Sequence, residues 1–512
     1  MKKLLKPSLR SLFKGCNLMT GFQHATKKRS KFCKSYLALV IIWIFFVSCK
    51  YHHKQDADLL LAKIRIINIE NAKISKEQDV FIKDDTIVAI LPTSLESISG
   101  NFRIIDCTGK FLIPGFIDSH AHLSYFDDIP QVMEMLIAYG VTAVRDPGTD
   151  ADLETKYLQL ADSVNAGLIF GPKIFTCGSI ISSQGYGWET EILSQDEIVA
   201  EVMRKKKLGV DFIKIYESVH PEFVDQIIQQ AHAQNLKVIG HLGETSWNEA
   251  ALLGIDGLVH SGLNGPTWEL LPEQFHEQYK ALSHWVRSDS LFDLSLILGE
   301  EWLKKLETDD SRVDALISTL ANADVIVDPN LVLAESFYLG DDLSYYQRID
   351  TSLLNPNIVR NWHRFGGNWS FGNPFINRMA NWKNFSELSR KIHSFNKKLV
   401  YALYQGGVRL TAGTDLCMPW IVPGYSLHRE LELLTEAGMS SEEVLKIAFI
   451  NNAMALNNPK LGRVEVAGQA DLVILEANPL ERITNTKKIF AVIKSGKVFS
   501  KAQLIKMGNQ HL

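Results

Sequence analysis

Two histidines separated by one residue, His120 and His122, close the stretch Phe111-Leu-Ile-Pro-Gly-Phe-Ile-Asp-Ser-His-Ala-His122. On an extended strand residues i and i+2 point the same way. The pair would therefore present two imidazoles on one face, half of a transition-metal site. His-x-His alone is a weak signal, because short spacings arise by chance and histidines often cap or pack. Further donors follow in order: Lys214 inside the apolar run Phe212-Ile-Lys-Ile-Tyr216, His241 closing Lys237-Val-Ile-Gly-His241, His260 closing Gly257-Leu-Val-His260, and Asp415 in Leu410-Thr-Ala-Gly-Thr-Asp415. Burying an unpaired ammonium costs several kcal/mol. A core-facing lysine beside a metal can lose its proton, react with carbon dioxide and bridge two cations as a carbamate; a lysine at a strand end can equally snorkel or meet a carboxylate. Each lone histidine is more often a hydrogen-bonded core residue than a ligand, and Asp415 alone could be a helix cap. The ordered set His-x-His, Lys, His, His, Asp is what points to a metal centre.

Those donors need elements to position them. Residues 58–110 are β-rich with period two, as in Lys63-Ile-Arg-Ile-Ile-Asn-Ile69 and Thr86-Ile-Val-Ala-Ile90, with turn residues between, and read as a small sheet. After Pro114-Gly115 short apolar strands alternate with amphipathic helices such as 196–207 and 221–234. Counting from Leu112, eight strands with crossovers predict an α/β fold, a (β/α)8 TIM barrel over 111–455, whose catalytic groups gather at strand C-terminal ends. Insertions at about 261–320 and 331–400 exceed ordinary crossovers. The second is rich in aromatics (Trp362, Phe365, Trp369, Phe371, Phe375, Trp382), as a lid or a self-packed insert. Strand pairs return at 456–505, so both ends of the chain are predicted to build a discontinuous small β-sandwich domain.

Composition narrows the partners. The 512 residues carry a formal charge of -4, but residues 1–48 hold ten of the 54 Lys and Arg and none of the 58 Asp and Glu, so the remainder carries -14. An acidic body argues against nucleic acid as a partner. The basic stretch precedes an apolar run of about eleven residues, Leu37 to Val47, too short to span a bilayer, which needs roughly 20. Residues 1–49 therefore read as a signal peptide. Ser48-Cys49 resembles the lipobox of a bacterial lipoprotein, with Cys49 lipidated and the chain exported and held at a membrane; an uncleaved membrane anchor is the alternative. Cys107, Cys177 and Cys417 are too scattered for a disulfide framework and read as buried thiols. Arg145 is expected to form a structural ion pair with an acidic neighbour, and His428 to pack on a helix.

Residues 58–505 resemble the amidohydrolase superfamily, nearest its imidazolonepropionase-like and Xaa-Pro-dipeptidase-like branch. The phrases that carry the resemblance are Gly115-Phe-Ile-Asp-Ser-His-Ala-His122, Asp211-Phe-Ile-Lys214, Gly413-Thr-Asp415, Gly468-Gln-Ala-Asp-Leu-Val473 and the tract Ser426 to Gly438. The resemblance implies two divalent ions of zinc type: His120 and His122 with Asp415 on one, His241 and His260 on the other, and carboxylated Lys214 between them. It implies hydrolysis of a C–N amide bond, in a peptide or cyclic amide, by a metal-bridged hydroxide with Asp415 moving the proton. A mononuclear deaminase or imidazolone-type hydrolase, or a lactonase, would share most ligands; a catalytically dead surface binding protein is the competitor from another class. Tyr216 and Tyr186 are candidate substrate contacts, Tyr186 lying in Ser183-Gln-Gly-Tyr186 where relatives often carry Gly-Gly-His. The expected partner is a small molecule or short peptide; homo-oligomerisation stays open.

Overall fold

The computed structural model describes residues 56–93, 101–183, 187–261, 310–338, 385–418 and 420–500, with isolated positions elsewhere. The leader with Cys49, most of both insertions, and Tyr186 lie outside the described residues. Among the described residues no helix is long and apolar enough to cross a membrane.

Five strands come first: β1 (Leu59–Asn68), β2 (Lys73–Lys83), β3 (Thr86–Pro92), β4 (Arg103–Asp106) and β5 (Phe111–Pro114). The parallel strands follow: β6 (Phe116–Asp118), β7 (Val141–Asp146), β8 (Lys173–Thr176), β9 (Ile181–Ser182), β10 (Thr190–Glu191), β11 (Phe212–Ile215), β12 (Lys237–Gly240), β13 (Gly257–Val259), β14 (Ile326–Asp328) and β15 (Arg409–Leu410). They form two parallel sheets, β6-β7-β8 and β10-β9-β11-β12-β13-β14-β15. No continuous ladder joins the two among the described residues, but single backbone bonds do: Asp211 N–H donates to Thr176 O at 2.9 Å, and Ser119 N–H to Ala412 O at 3.1 Å. The expected helices are present at Gln195–Leu208 and Pro221–Ala233. The first is capped by Ser194, whose hydroxyl accepts from Glu197 N–H, and ends at Gly209 with φ +82°.

β16 (Leu472–Leu475), β17 (Ile489–Lys494) and β18 (Lys497–Ser500) return to the start of the chain. β16 pairs antiparallel with β5, giving one eight-stranded sheet from both ends of the chain. Alternation gives this sheet two apolar faces. Leu112, Leu472, Ile474 and Ile493 join one core cluster. Phe111, Ile113, Val473, Leu475 and Val492 join the large core beneath the parallel strands.

One boundary differs from expectation. The parallel strands, expected from residue 111, start at Phe116: the chain breaks at Gly115, with β5 serving the mixed sheet and β6 the parallel one. Pro114 and Gly115 cause the break, and the close approach at Gly115 admits no side chain: a Cβ there would sit 2.0 Å from Thr142 Oγ1.

Candidate metal centre

The donors predicted from the sequence converge at the C-terminal ends of the parallel strands. His120 and His122 follow β6, His241 and His260 each lie one residue past β12 and β13, Lys214 sits within β11, and Asp415 stands in the loop after β15. Asp415 Oδ1 lies 3.2 Å from His120 Nε2 and 3.4 Å from His122 Nε2. These three residues form a buried group whose ligand atoms lie within 4.8 Å of one another, a spacing that can hold a metal ion. The rings of His120 and His260 are 4.9 Å apart by centroid, and those of His241 and His260 4.6 Å.

The protonation states suit ligation. Burial, reinforced by cationic neighbours, lowers His120 to about 4 and His241 to about 3, and drives His260 well below its usual value. Neutral imidazole is the metal-binding form. His122 is the exception: burial, the largest effect, works downward, but Asp415, Asp146 and the Gly148 carbonyl together outweigh it and raise the ring. Asp415 is the converse case: burial would raise it, and the facing histidines hold it well below the carboxylate range. His122 Nδ1–H donates to the Gly148 carbonyl at 3.0 Å, which turns Nε2 towards Asp415.

Lys214 is 2 % exposed, and its Nζ has no hydrogen-bond partner. Burial, helped by the charge of Arg145, lowers it to about 7. An amine at that value is substantially unprotonated near neutrality. His120 Nδ1 and His260 Nδ1 are likewise buried without a hydrogen bond. Orphaned nitrogens gathered in one place fit a metal centre, since buried polar groups are otherwise paired.

A supporting shell holds the donors. Asp118, fully buried, accepts from His120 N–H (3.1 Å), Thr414 N–H (3.0 Å) and Thr414 Oγ1 (2.7 Å), tying the His-x-His segment to the Asp415 loop. Asp328, at the end of β14, accepts from Ser119 Oγ at 2.6 Å and pairs with Arg145 Nη2 at 3.1 Å. That pair is the ion pair expected of Arg145. Asp146 accepts from Leu123 N–H, Gly148 N–H and the Tyr157 hydroxyl. Only Gly fits at 413, where a Cβ would meet Asp328 Oδ2, His120 N and Ser119 Oγ at 2.7 Å. His260 and Asp415 adopt φ of +63° and +58°. Left-handed backbone at a non-glycine residue costs of order 1–3 kcal/mol and gathers at functional sites.

Asp118, Asp146 and Asp328 were not singled out from the sequence. Each ends a parallel strand, on the side where the histidines gather, and that position is the signal that could have found them. Tyr216, a candidate substrate contact, stacks edge to face on His241 at 5.1 Å. His428, on the helix Tyr425–Ala437, is fully buried between Thr486 and the Tyr139 carbonyl, away from the cluster.

Residues 111–263 and 370–499, more than half of the chain, match the amidohydrolase family. Among curated proteins the chain is similar to a dihydropyrimidinase of Arabidopsis thaliana, 24 % identical over 205 residues, which are 39 % of this chain and 37 % of that protein. The matched part thus spans little over a third of that relative. Among solved structures it resembles a putative prolidase from Bifidobacterium longum, with TM-score 0.60 at 22 % identity over 89 % of this chain and 98 % of the other. A bottromycin amidohydrolase superposes with TM-score 0.64 at 19 % identity over 88 % of each chain. At such identities the structural likeness speaks for the fold alone.

Proposed function

The chain belongs to the amidohydrolase family, and from that premise we propose that it is a metal-dependent hydrolase of C–N amide bonds, acting on a short peptide or cyclic amide. The observation that carries the proposal is the buried group of His120, His122 and Asp415, extended by ring contacts to His260 and His241, with the unpartnered Lys214 Nζ buried on β11 beside β12. In this reading His120, His122 and Asp415 would hold one divalent ion and His241 and His260 a second, with Lys214, as its carbamate, serving both. Divalent ions of zinc type would polarise the scissile carbonyl and acidify the attacking water. The remaining work falls to the chain. Asp415, fixed by its N–H bond to the His120 carbonyl at 2.8 Å, accepts the proton of the attacking water and returns it to the leaving amine. Arg145, paired with Asp328, adds its charge to burial in disfavouring the ammonium form of Lys214. The two parallel sheets are read as arcs of one barrel whose eight strands are β6, β7, β8 and β11 to β15, with the two-residue strands β9 and β10 as an excursion from it; the arcs meet at the Thr176–Asp211 and Ser119–Ala412 bonds, and the mixed sheet is read as the small discontinuous domain.

A second reading has its own support: His120, His122 and Asp415 already make a complete group for one ion, as a mononuclear deaminase or imidazolone-type hydrolase would need. Metal content per chain, measured on wild type and Lys214→Ala side by side, separates them. About two ions in wild type and a sharp fall in the variant is the expected result. One ion in both would make Lys214 structural and move the chemistry to the mononuclear reading.

A further inference from the structure

Four imidazoles and three neutral aromatic rings close a circuit at the cluster. His120 and His122 are 5.2 Å apart by ring centroid, His122 and Tyr125 5.5 Å, Tyr125 and Trp188 6.3 Å, Trp188 and Tyr216 5.4 Å, and Tyr216 and His241 5.1 Å. His241 returns to His120 through His260. Two routes therefore run from His122 to His241. One passes through His120 and His260 in three steps; the other passes through Tyr125, Trp188 and Tyr216 in four. The aromatic route thus runs alongside the imidazoles, touching them at His122 and His241. Its rings meet nearly at right angles, 87° between Tyr125 and Trp188 and 71° between Trp188 and Tyr216. All three are half-buried, as walls of an opening are, whereas core aromatics such as Phe116 and Phe449 are fully enclosed.

The middle ring is held by a costly foundation. Trp188 comes from the excursion between β9 and β10, and its carbonyl accepts Ala151 N–H at 2.8 Å. At the base of that excursion Thr190 N–H donates to Ile180 O, Ile192 N–H donates to Ser182 O, and the Ser179 and Thr190 hydroxyls meet at 2.6 Å. Beneath lies a buried ion group: Lys205, wholly inaccessible, donates to Glu154 Oε1 at 3.0 Å and to the carbonyls of Cys177 and Ser179, while Glu154 accepts from Ser179 N–H and Oγ. Both ions bond to Ser179, which in turn meets Thr190 at the root of the segment carrying the indole.

We propose that Tyr125, Trp188 and Tyr216 form a subsite for a planar aromatic ring carried by the substrate, with Trp188 as its specificity-determining residue. The proposal rests on reading the cluster as an amide-hydrolysing centre. A wall of uncharged rings favours apolar groups of any kind by area alone. A conjugated ring gains in addition from edge-to-face and offset contacts that a saturated ring of equal size cannot make.

Benzamide and cyclohexanecarboxamide isolate that difference, being neutral amides of matched size. Their binding is measured by NMR titration on wild type, Trp188→Phe and Trp188→Leu, each with and without added zinc, with thermal midpoints confirming that the variants fold. Wild type should prefer benzamide by about three- to tenfold. Trp188→Phe should retain most of that preference, and Trp188→Leu, which keeps an apolar bulk, should lose it. Equal affinities in wild type, or a preference undiminished in Trp188→Leu, overturns the proposal. Hydrolysis of benzoyl- and cyclohexanecarbonyl-amides is assayed in parallel. An aryl preference in binding with neither amide cleaved would sink the hydrolase reading and leave the subsite standing; cleavage of both at equal efficiency would do the reverse.

Discussion

Two fully buried lysines in this chain show how much a side chain's partners decide. Lys205 is surrounded by Glu154, Glu201, two carbonyls and a hydroxyl, and is an ion built into a structural group. Lys214 is as deeply buried, has no hydrogen-bond partner, and is lowered to about 7. The sequence reveals neither environment: Lys205 stands in the basic run Arg204 to Lys207 and reads as solvated, while Lys214 sits among apolar neighbours and was marked only by the ordered histidines. Asp415 carries the sharpest residue-scale consequence. Asp415→Asn keeps an oxygen near His120 and His122 but cannot take up a proton. Turnover should fall by about 10²- to 10⁴-fold with the circular dichroism spectrum unchanged, and a variant within threefold of wild type would remove Asp415 from proton transfer. The donors were readable because each follows a short apolar run. Their supports, Asp118 and Asp328 above all, were marked by nothing but a place at a strand end, and what they hold shows only once their partners 296 and 209 residues away in the chain are seen.

Elements are fixed to one another by buried polar side chains whose roles no periodicity reveals. Asn452 follows the π-helical turn Ile447–Asn451 and is fully buried. Its Nδ2 donates to Ile117 O (2.7 Å) and Ala412 O (2.9 Å), and its Oδ1 accepts from Ala412 N–H (2.9 Å). One amide thus clamps β6, which leads to His120 and His122, to the segment leading to Asp415. Asn452→Ala would remove three buried hydrogen bonds and should destabilise the fold by about 2–4 kcal/mol, while lowering metal affinity although Asn452 touches no ligand. Unchanged metal affinity would show the clamp to be dispensable for the site. Glu430 acts similarly on the helix Leu331–Tyr338, accepting from Leu331 N–H and Val332 N–H. Burial pushes its carboxyl up to about 8. The native state therefore keeps a proton that the unfolded chain sheds near its ordinary value of 4.5. Stability from this group is greatest below that value and declines as pH rises towards about 8, by up to ~1.4 kcal/mol per pH unit. Thermal midpoints at pH 5.5 and 7.5 should show wild type losing ground to Glu430→Gln at the higher pH; a gap equal at both would mean that Glu430 ionises normally.

At the scale of the molecule, the alternation of strand and helix was legible and so was the return of β-structure at the C-terminus. The point where one sheet hands over to the other was not. Phe111 to Ile117 is evenly apolar because both of its halves are buried, and only the absence of a side chain at Gly115 lets the chain turn between them. The same feature binds the two ends of the chain into one cooperative structure. β5 pairs with β16 over four residues, and Val473, Leu475, Ile489 and Val492 lie in the large core with the parallel strands. Each such side chain, fully buried, contributes roughly 1.5–3 kcal/mol, so the four together rival the ~5–15 kcal/mol that holds a typical fold together. Deleting residues 463–512 should therefore do more than remove a peripheral sheet. It would bare the edge of β5 and the floor of the core, leaving a chain that aggregates or binds a hydrophobic dye without a cooperative thermal transition. Were the truncated chain instead to melt cooperatively and still bind metal, the mixed sheet would be an independent appendage, and the strands at either end of the sequence would have no part in holding His120 and His122 in place.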